Sequence, residues 1–187
     1  MVKRGTRKAN SLLRIGGILL LSAVGYCPEL AAEDWSLETK LKAICIYNYT
    51  KFVDWPEEAF ADKDAPIVIG ILGNDPFGTS FDEALRGRLV NNRPLVIKRF
   101  TNAREAVGCH ILYISNSEIP RLPDIIPILK GKSVLTVGES STFLQSGGMI
   151  RIYLGDDSRV HFDINSDTAK ESKLKISSQL LSLAKPQ

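Results

Sequence analysis

Pro66-Ile67-Val68-Ile69-Gly70-Ile71-Leu72-Gly73-Asn74-Asp75-Pro76 is the stretch on which the fold turns. Ile67 to Leu72 is an unbroken apolar run, mostly β-branched, closed by a proline before it and a Gly-Asn-Asp-Pro turn cluster after it. A strand wetted on one side alternates apolar with polar residues. This one does not, so both of its faces are to be buried. Strands of that kind lie inside sheets covered by helices.

Downstream the chain supplies the other parts of such a sheet. Phe81, Ala84 and Leu85 form a short helical stripe ended by Gly87, and Leu95 to Phe100 reads as a second strand. Cys109 to Ile114 and Ser133 to Val137 are third and fourth strands, with the helical segment Leu122 to Leu129 between them. Strand, helix and strand in alternation predict right-handed crossovers and an α/β fold of three layers, a mostly parallel sheet flanked by helices. Met149 to Leu154 and Arg159 to Ile164 break the pattern, being joined only by Gly155-Asp156-Asp157-Ser158. They read as a C-terminal antiparallel β-hairpin at a sheet edge. From Ser166 onward, Ala169, Leu174, Ile176, Leu180, Leu181 and Leu183 read as one amphipathic C-terminal helix that closes over the sheet.

Upstream, Ser36 is a fitting N-cap for a helix with apolar positions Leu37, Leu41, Ile44, Cys45, Tyr49 and Phe52, and Pro56 stops it at Trp55. Before that helix the sequence changes character. Lys3, Arg4, Arg7, Lys8 and Arg14 precede the apolar run Ile15 to Val24, then come Pro28 and the small pair Ala31 and Ala32. This is the pattern of a secretory signal peptide over residues 1–32, cleaved after Ala32 to release a domain of residues 33–187 into the periplasm. The apolar run is about ten residues, short of the roughly 20 that a membrane span requires. Tyr26 places a bulky ring beside Cys27 where lipid attachment expects a small residue.

The leader holds five basic groups against one acidic one, so its removal turns the net charge of +3 into −1. The remaining domain carries no electrostatic footprint for nucleic acid or an anionic membrane. Its two cysteines, Cys45 and Cys109, sit in a compartment where disulfides persist.

Reactive groups that would converge on a substrate are hard to find. The sequence has no phosphate-loop motif, G-x-S-x-G elbow, H-E-x-x-H or C-x-x-C. His110 falls in an apolar strand and His161 on the wet face of the hairpin, which points to structural and surface roles. Cys109 and His110 are neighbours on one strand and so point to opposite faces, unlike a nucleophile and its base. Asp156 and Asp157 offer two carboxylates where calcium takes six to eight oxygens. No catalytic residue, metal site or cofactor is expected. Asn74, Asp75, Pro76 and Phe77 follow the carboxyl end of the first strand, where open sheets place their ligands. Trp55, Pro56 and Phe77 stand where elements end, and exposed aromatic residues there can anchor an interface. These six are the candidate partner or ligand residues.

Several segments in order resemble the YfiR family of periplasmic proteins. The first helix reads Lys42-Ala43, then Tyr47-Asn48-Tyr49-Thr50-Lys51-Phe52-Val53-Asp54-Trp55-Pro56. Ile71-Leu72-Gly73-Asn74-Asp75-Pro76-Phe77-Gly78, Arg93-Pro94-Leu95-Val96, Cys109-His110-Ile111-Leu112-Tyr113-Ile114-Ser115 and Val134-Leu135-Thr136-Val137 follow. Gly147-Gly148-Met149-Ile150, Phe162-Asp163-Ile164-Asn165 and Ser177-Ser178-Gln179-Leu180-Leu181 complete the likeness. The resemblance implies a periplasmic regulator that is not an enzyme. It would bind the sensor region of an inner-membrane diguanylate cyclase and hold cyclic-di-GMP synthesis down until an OmpA-like outer-membrane lipoprotein sequesters it. A homodimer is the expected assembly. Family members can tie their fold with disulfides, and Cys109 stands in the family's Cys-His strand; here only Cys45 is left to pair with it. A Cys45–Cys109 bond and two buried free thiols are the alternatives. A second reading of the whole is a small-molecule sensor domain feeding a membrane sensor kinase.

Overall fold

The computed structural model describes residues 36–184; the leader, Cys27 and the proposed cleavage site lie outside them. The helix α1 spans Leu37–Phe52, with the Ser36 hydroxyl accepting the Thr39 amide as its N-cap. It ends before the expected stop, because Val53–Asp54 already forms a short strand, β1. The apolar run Ile67–Leu72 is β2, and all six of its residues are buried. Then follow α2 (Gly78–Leu85), β3 (Leu89–Val90), β4 (Arg93–Phe100), β5 (Ile111–Ile114), α3 (Leu122–Leu129) and β6 (Leu135–Gly138). The hairpin is β7 (Ile150–Leu154) with β8 (Val160–Ile164).

Seven strands form one sheet in the order β3-β4-β2-β5-β6-β7-β8. β4, β2, β5, β6 and β7 run parallel, whereas β3 and β8 close the two edges antiparallel. The expected mostly parallel α/β sheet with an antiparallel hairpin at its edge is what forms. From β2 the chain passes to β4 on one side, then returns across to β5 on the other. That reversal opens a crevice at the carboxyl ends of β2 and β5.

Both faces of the sheet are covered, as the β2 pattern requires. Ile67, Ile69 and Ile71 face one core with Ala43, Ile46 and Tyr49 of α1 and Phe81 and Leu85 of α2. Val68 and Leu72 face the other with Leu122, Ile125 and Leu129 of α3 and Phe143. Gly70 stands between them on the second face because a Cβ there would come within 2.8 Å of Leu112 and 2.9 Å of the Phe100 ring. Gly73 ends the strand at φ +85°, a conformation open to glycine, with Ser117 and Glu118 closing on it.

The C-terminal segment departs from the single helix expected. It forms α4 (Ser166–Glu171), the two-residue strand β9 (Lys175–Ile176) and α5 (Ser178–Leu183). Lys173 takes a positive φ of 59°, and the Leu174 amide reaches back to the Ala169 carbonyl, which ends α4 in a left-handed cap. β9 then pairs antiparallel with β1, Val53 opposite Ile176, and the Ser177 amide donates to the Phe52 carbonyl. The tail is thereby stitched to the end of α1.

Cys45 and Cys109 are both free. Cys45 packs against the α1 side of the sheet and Cys109 lies in the core on the α3 side, so the sheet itself separates them. The bond that sequence allowed is not formed. Alkylation of the denatured, unreduced protein followed by peptide mass mapping is expected to find a free thiol at each position; a linked Cys45–Cys109 peptide would contradict this arrangement.

Candidate partner-binding groove and polar pocket

The six residues named from sequence do not form one site. Trp55 and Pro56 sit near the amino ends of the strands, where the Trp55 indole N–H donates to the His110 carbonyl at 3.0 Å and its ring meets the His110 ring edge-on. Trp55 is half-buried and holds the end of α1 to the start of β5. Asn74 to Phe77 lie at the opposite, carboxyl edge. Phe77 has no exposed surface and packs against Phe81 and Tyr113, so it is core and cannot be the exposed anchor expected of it. The Asp75 carboxylate accepts the Phe77 amide and pairs with Arg99 at 2.8 Å, which shapes the loop. Asn74 and Pro76 face solvent.

His110 and Cys109 point to opposite sides of the sheet, as their adjacency requires. His110 Nδ1 accepts the Val68 amide at 3.0 Å, and its ring stacks on Phe60, over which the Arg93 guanidinium lies. Burial, and after it the Arg93 charge, pushes the His110 pKa down from 6.5 to about 4. Burial pushes the Cys109 thiol up to about 12, which leaves it unreactive. Among the described residues, no group of three or more His, Cys, Asp or Glu side chains is placed to hold a metal ion.

Two concave features bear on function. The first lies in the crevice between β2 and β5 predicted by the strand order, a pocket of about 240 Å³ that includes Pro76, Phe77 and Tyr113. Lys42 of α1 reaches into it and pairs with Glu38 at 2.6 Å and Glu139 at 2.9 Å. Tyr113 donates its hydroxyl to Glu139, and Asn116 adds a bond at 3.3 Å. Burial opposes the Lys42 charge, yet the bonds to Glu38 and then Glu139 outweigh it and raise its pKa. Burial and then Glu139 raise that of Tyr113, which stays a neutral donor. These polar groups satisfy one another, so the pocket acts as a clamp between α1 and the sheet edge. Lys42 and Tyr113 fall in segments that carry the family resemblance, but nothing in the sequence joined them to each other or to Glu139, because the three lie far apart in the chain.

The second feature is larger, an open groove of about 550 Å³ between α1 and α2. Ala43, Ile44 and Tyr47 form one wall and Phe81, Ala84 and Leu85 the other. The apolar residues of α1 are thus divided between two faces. Ala43, Ile46 and Tyr49 enter the core, whereas Ile44 stays 52% exposed and Leu37 72%. Of the groove residues of α1, only Ile44 stood among the apolar positions read from the sequence.

The family model for YfiR/HmsC-like proteins (DUF4154) matches residues 39–185, from the first turn of α1 to beyond α5. The chain belongs to the YfiR/HmsC-like family. No curated protein matches it. Members of the YfiR/HmsC-like family are periplasmic, non-catalytic regulators in cyclic-di-GMP signalling, and the family implies a membrane diguanylate cyclase as partner. No helix of the described residues is long and apolar enough to cross a membrane.

Two consequences are measurable. The unfolded chain protonates at His110 below its ordinary 6.5, whereas the folded chain resists until about 4. Stability is therefore complete above pH 6.5 and falls as pH drops toward 4, by about 2 kcal/mol between pH 7 and 5. Urea unfolding at the two pH values is expected to show this loss and His110→Asn to lack it; an equal loss in both would rule out His110 as the source. Lys42→Met strands the Glu139 carboxylate and is expected to cost about 3 kcal/mol in the same measurement, with Glu139→Gln added on top restoring part of it. No recovery in the double variant would mean the two side chains are not coupled.

Proposed function

We propose that this chain represses an inner-membrane diguanylate cyclase by binding its periplasmic sensor region, so that cyclic-di-GMP synthesis falls. One observation carries the reading: an apolar, solvent-open groove of about 550 Å³ lies between two helices, with no reactive group converging on it. A surface of that kind suits a protein partner. The buried thiol of Cys109 and the depressed His110, facing apart, agree with a domain that transmits a signal by contact. The leader read in residues 1–32 would deliver the domain to the side of the membrane where such a sensor region lies. An OmpA-like outer-membrane lipoprotein that competes for the domain would relieve repression, and the active unit would be a homodimer.

The alternative of a small-molecule sensor draws on the pocket at the sheet's carboxyl edge. Its approximately 240 Å³ falls below the usual range of ligand cavities, and its polar groups already pair with one another.

The exported protein, purified from the periplasm, is expected to bind the sensor region of a membrane diguanylate cyclase encoded beside it at micromolar concentration or below, and to lower cyclase activity in membranes. Absence of binding to that region by interferometry would remove the repressor reading.

A further inference from the structure

α1 carries more apolar surface than the core takes up. Ile44 and Leu37 stand exposed on one side of it, and beside Arg88 the aliphatic Leu89 is 60% exposed. Of these, Ile44 lines the groove, facing the buried Phe81 and Leu85 of its other wall. Aliphatic residues gathered around a concavity mark an interaction site, where single ones scattered over a surface do not.

Charge narrows the choice of occupant. The groove is lined by Lys40 and Arg88 and by no carboxylate. At one end the Tyr47 ring lies between two cations, with Lys51 Nζ 4.2 Å and the Arg88 guanidinium carbon 5.2 Å from its centroid. Arg88 first, and Lys51 after it, lower the pKa of the Tyr47 hydroxyl against the opposing effect of burial, a sign of a positive local field. Of the acids on the two helices, Glu38 holds Lys42 at 2.6 Å and Asp82 holds Arg99 at 2.6 Å, and none lines the groove. A twofold copy of the chain docked here would set Lys51 and Arg88 close to their own counterparts, which repel.

The walls decide the occupant's conformation. Both are α-helices whose main-chain groups are spent on their own hydrogen bonds, so an extended segment finds no ladder to join. Binding has to come from side chains entering between α1 and α2, the arrangement a helix provides with residues at spacings of three, four and seven.

Resting on the repressor reading, we infer that the α1–α2 groove receives an amphipathic helix of the partner, with aliphatic side chains over Ile44 and Phe81 and carboxylates beside Lys51 and Arg88. Contact with Ile44 and with the α2 wall supplies the apolar part of the interface. The carboxylates of the helix meet Lys51 and Arg88 where the two cations flank Tyr47.

Two labelled synthetic peptides test this with the exported protein: a helix with leucines at positions one, four and eight followed by glutamates, and the same helix with lysines for the glutamates. Fluorescence polarisation is expected to show the acidic peptide binding about tenfold tighter or better, and weakening as salt rises. Ile44→Asp and the pair Lys51→Glu with Arg88→Glu are expected to weaken it by a further tenfold or so while circular dichroism stays unchanged, because these positions are exposed. Equal binding of the two peptides, binding of neither, or an acidic peptide indifferent to both variants would overturn the groove assignment. The cyclase sensor region forms a second arm. If it binds the parent and both variants alike, the groove assignment fails and the repressor reading stands. If the acidic peptide binds as expected while the sensor region binds no form of the chain, the groove stands and the repressor reading fails.

Discussion

Six residues of β2, buried on both faces, are the constraint from which the rest of the structure follows. Ile67, Ile69 and Ile71 demand a helical layer on one side, and Val68 and Leu72 demand another on the opposite side. Gly70 lets Phe100 and Leu112 close against the second face. Because β2 must lie inside the sheet, the chain adds β4 to one side and then crosses to β5 on the other, and the carboxyl-edge crevice appears where it reverses. Burying the five apolar side chains of β2 contributes roughly 10 kcal/mol before entropy is counted, comparable to the whole net stability of a domain.

The same arrangement holds two chemistry-bearing residues apart. The extended backbone leading into β5 turns Cys109 toward α3 and His110 toward Trp55 and Phe60, so the sheet stands between them. Burial then suppresses the charged form of each, and the pair becomes packing material. At the carboxyl edge, where an enzyme of this architecture would hold substrate, Lys42, Glu139 and Tyr113 spend their polar groups on one another and clamp α1 in place. Clamped there, α1 presents to α2 a side that the core does not need. That leftover side is the groove.

The strands and their order of appearance were legible because β-branched runs bounded by turns leave little choice. The C-terminal break was not: Lys173 adopts the left-handed conformation without being glycine, so the strongest stop signal is missing, and Lys175–Ile176 is a strand only because Val53–Asp54 lies beside it. Trp55 and Phe77 were equally opaque. An aromatic residue at the end of an element reads the same whether it faces solvent or folds inward, and here Phe77 is sealed by Phe81 and Tyr113 while Trp55 is tied to the His110 carbonyl.

Local sequence by itself determined the three layers, the parallel sheet, the edge hairpin and the absence of any motif for catalysis, because each depends on spacing within a few residues or on alternation along one strand. Tertiary structure alone decided that Cys45 and Cys109 stand apart, that Lys42 finds Glu139, and that Ile44 and Phe81 share an open groove under Arg88. Those are relations between elements distant in the chain, and their geometry is set by how the helices pack on the sheet, which no single segment encodes.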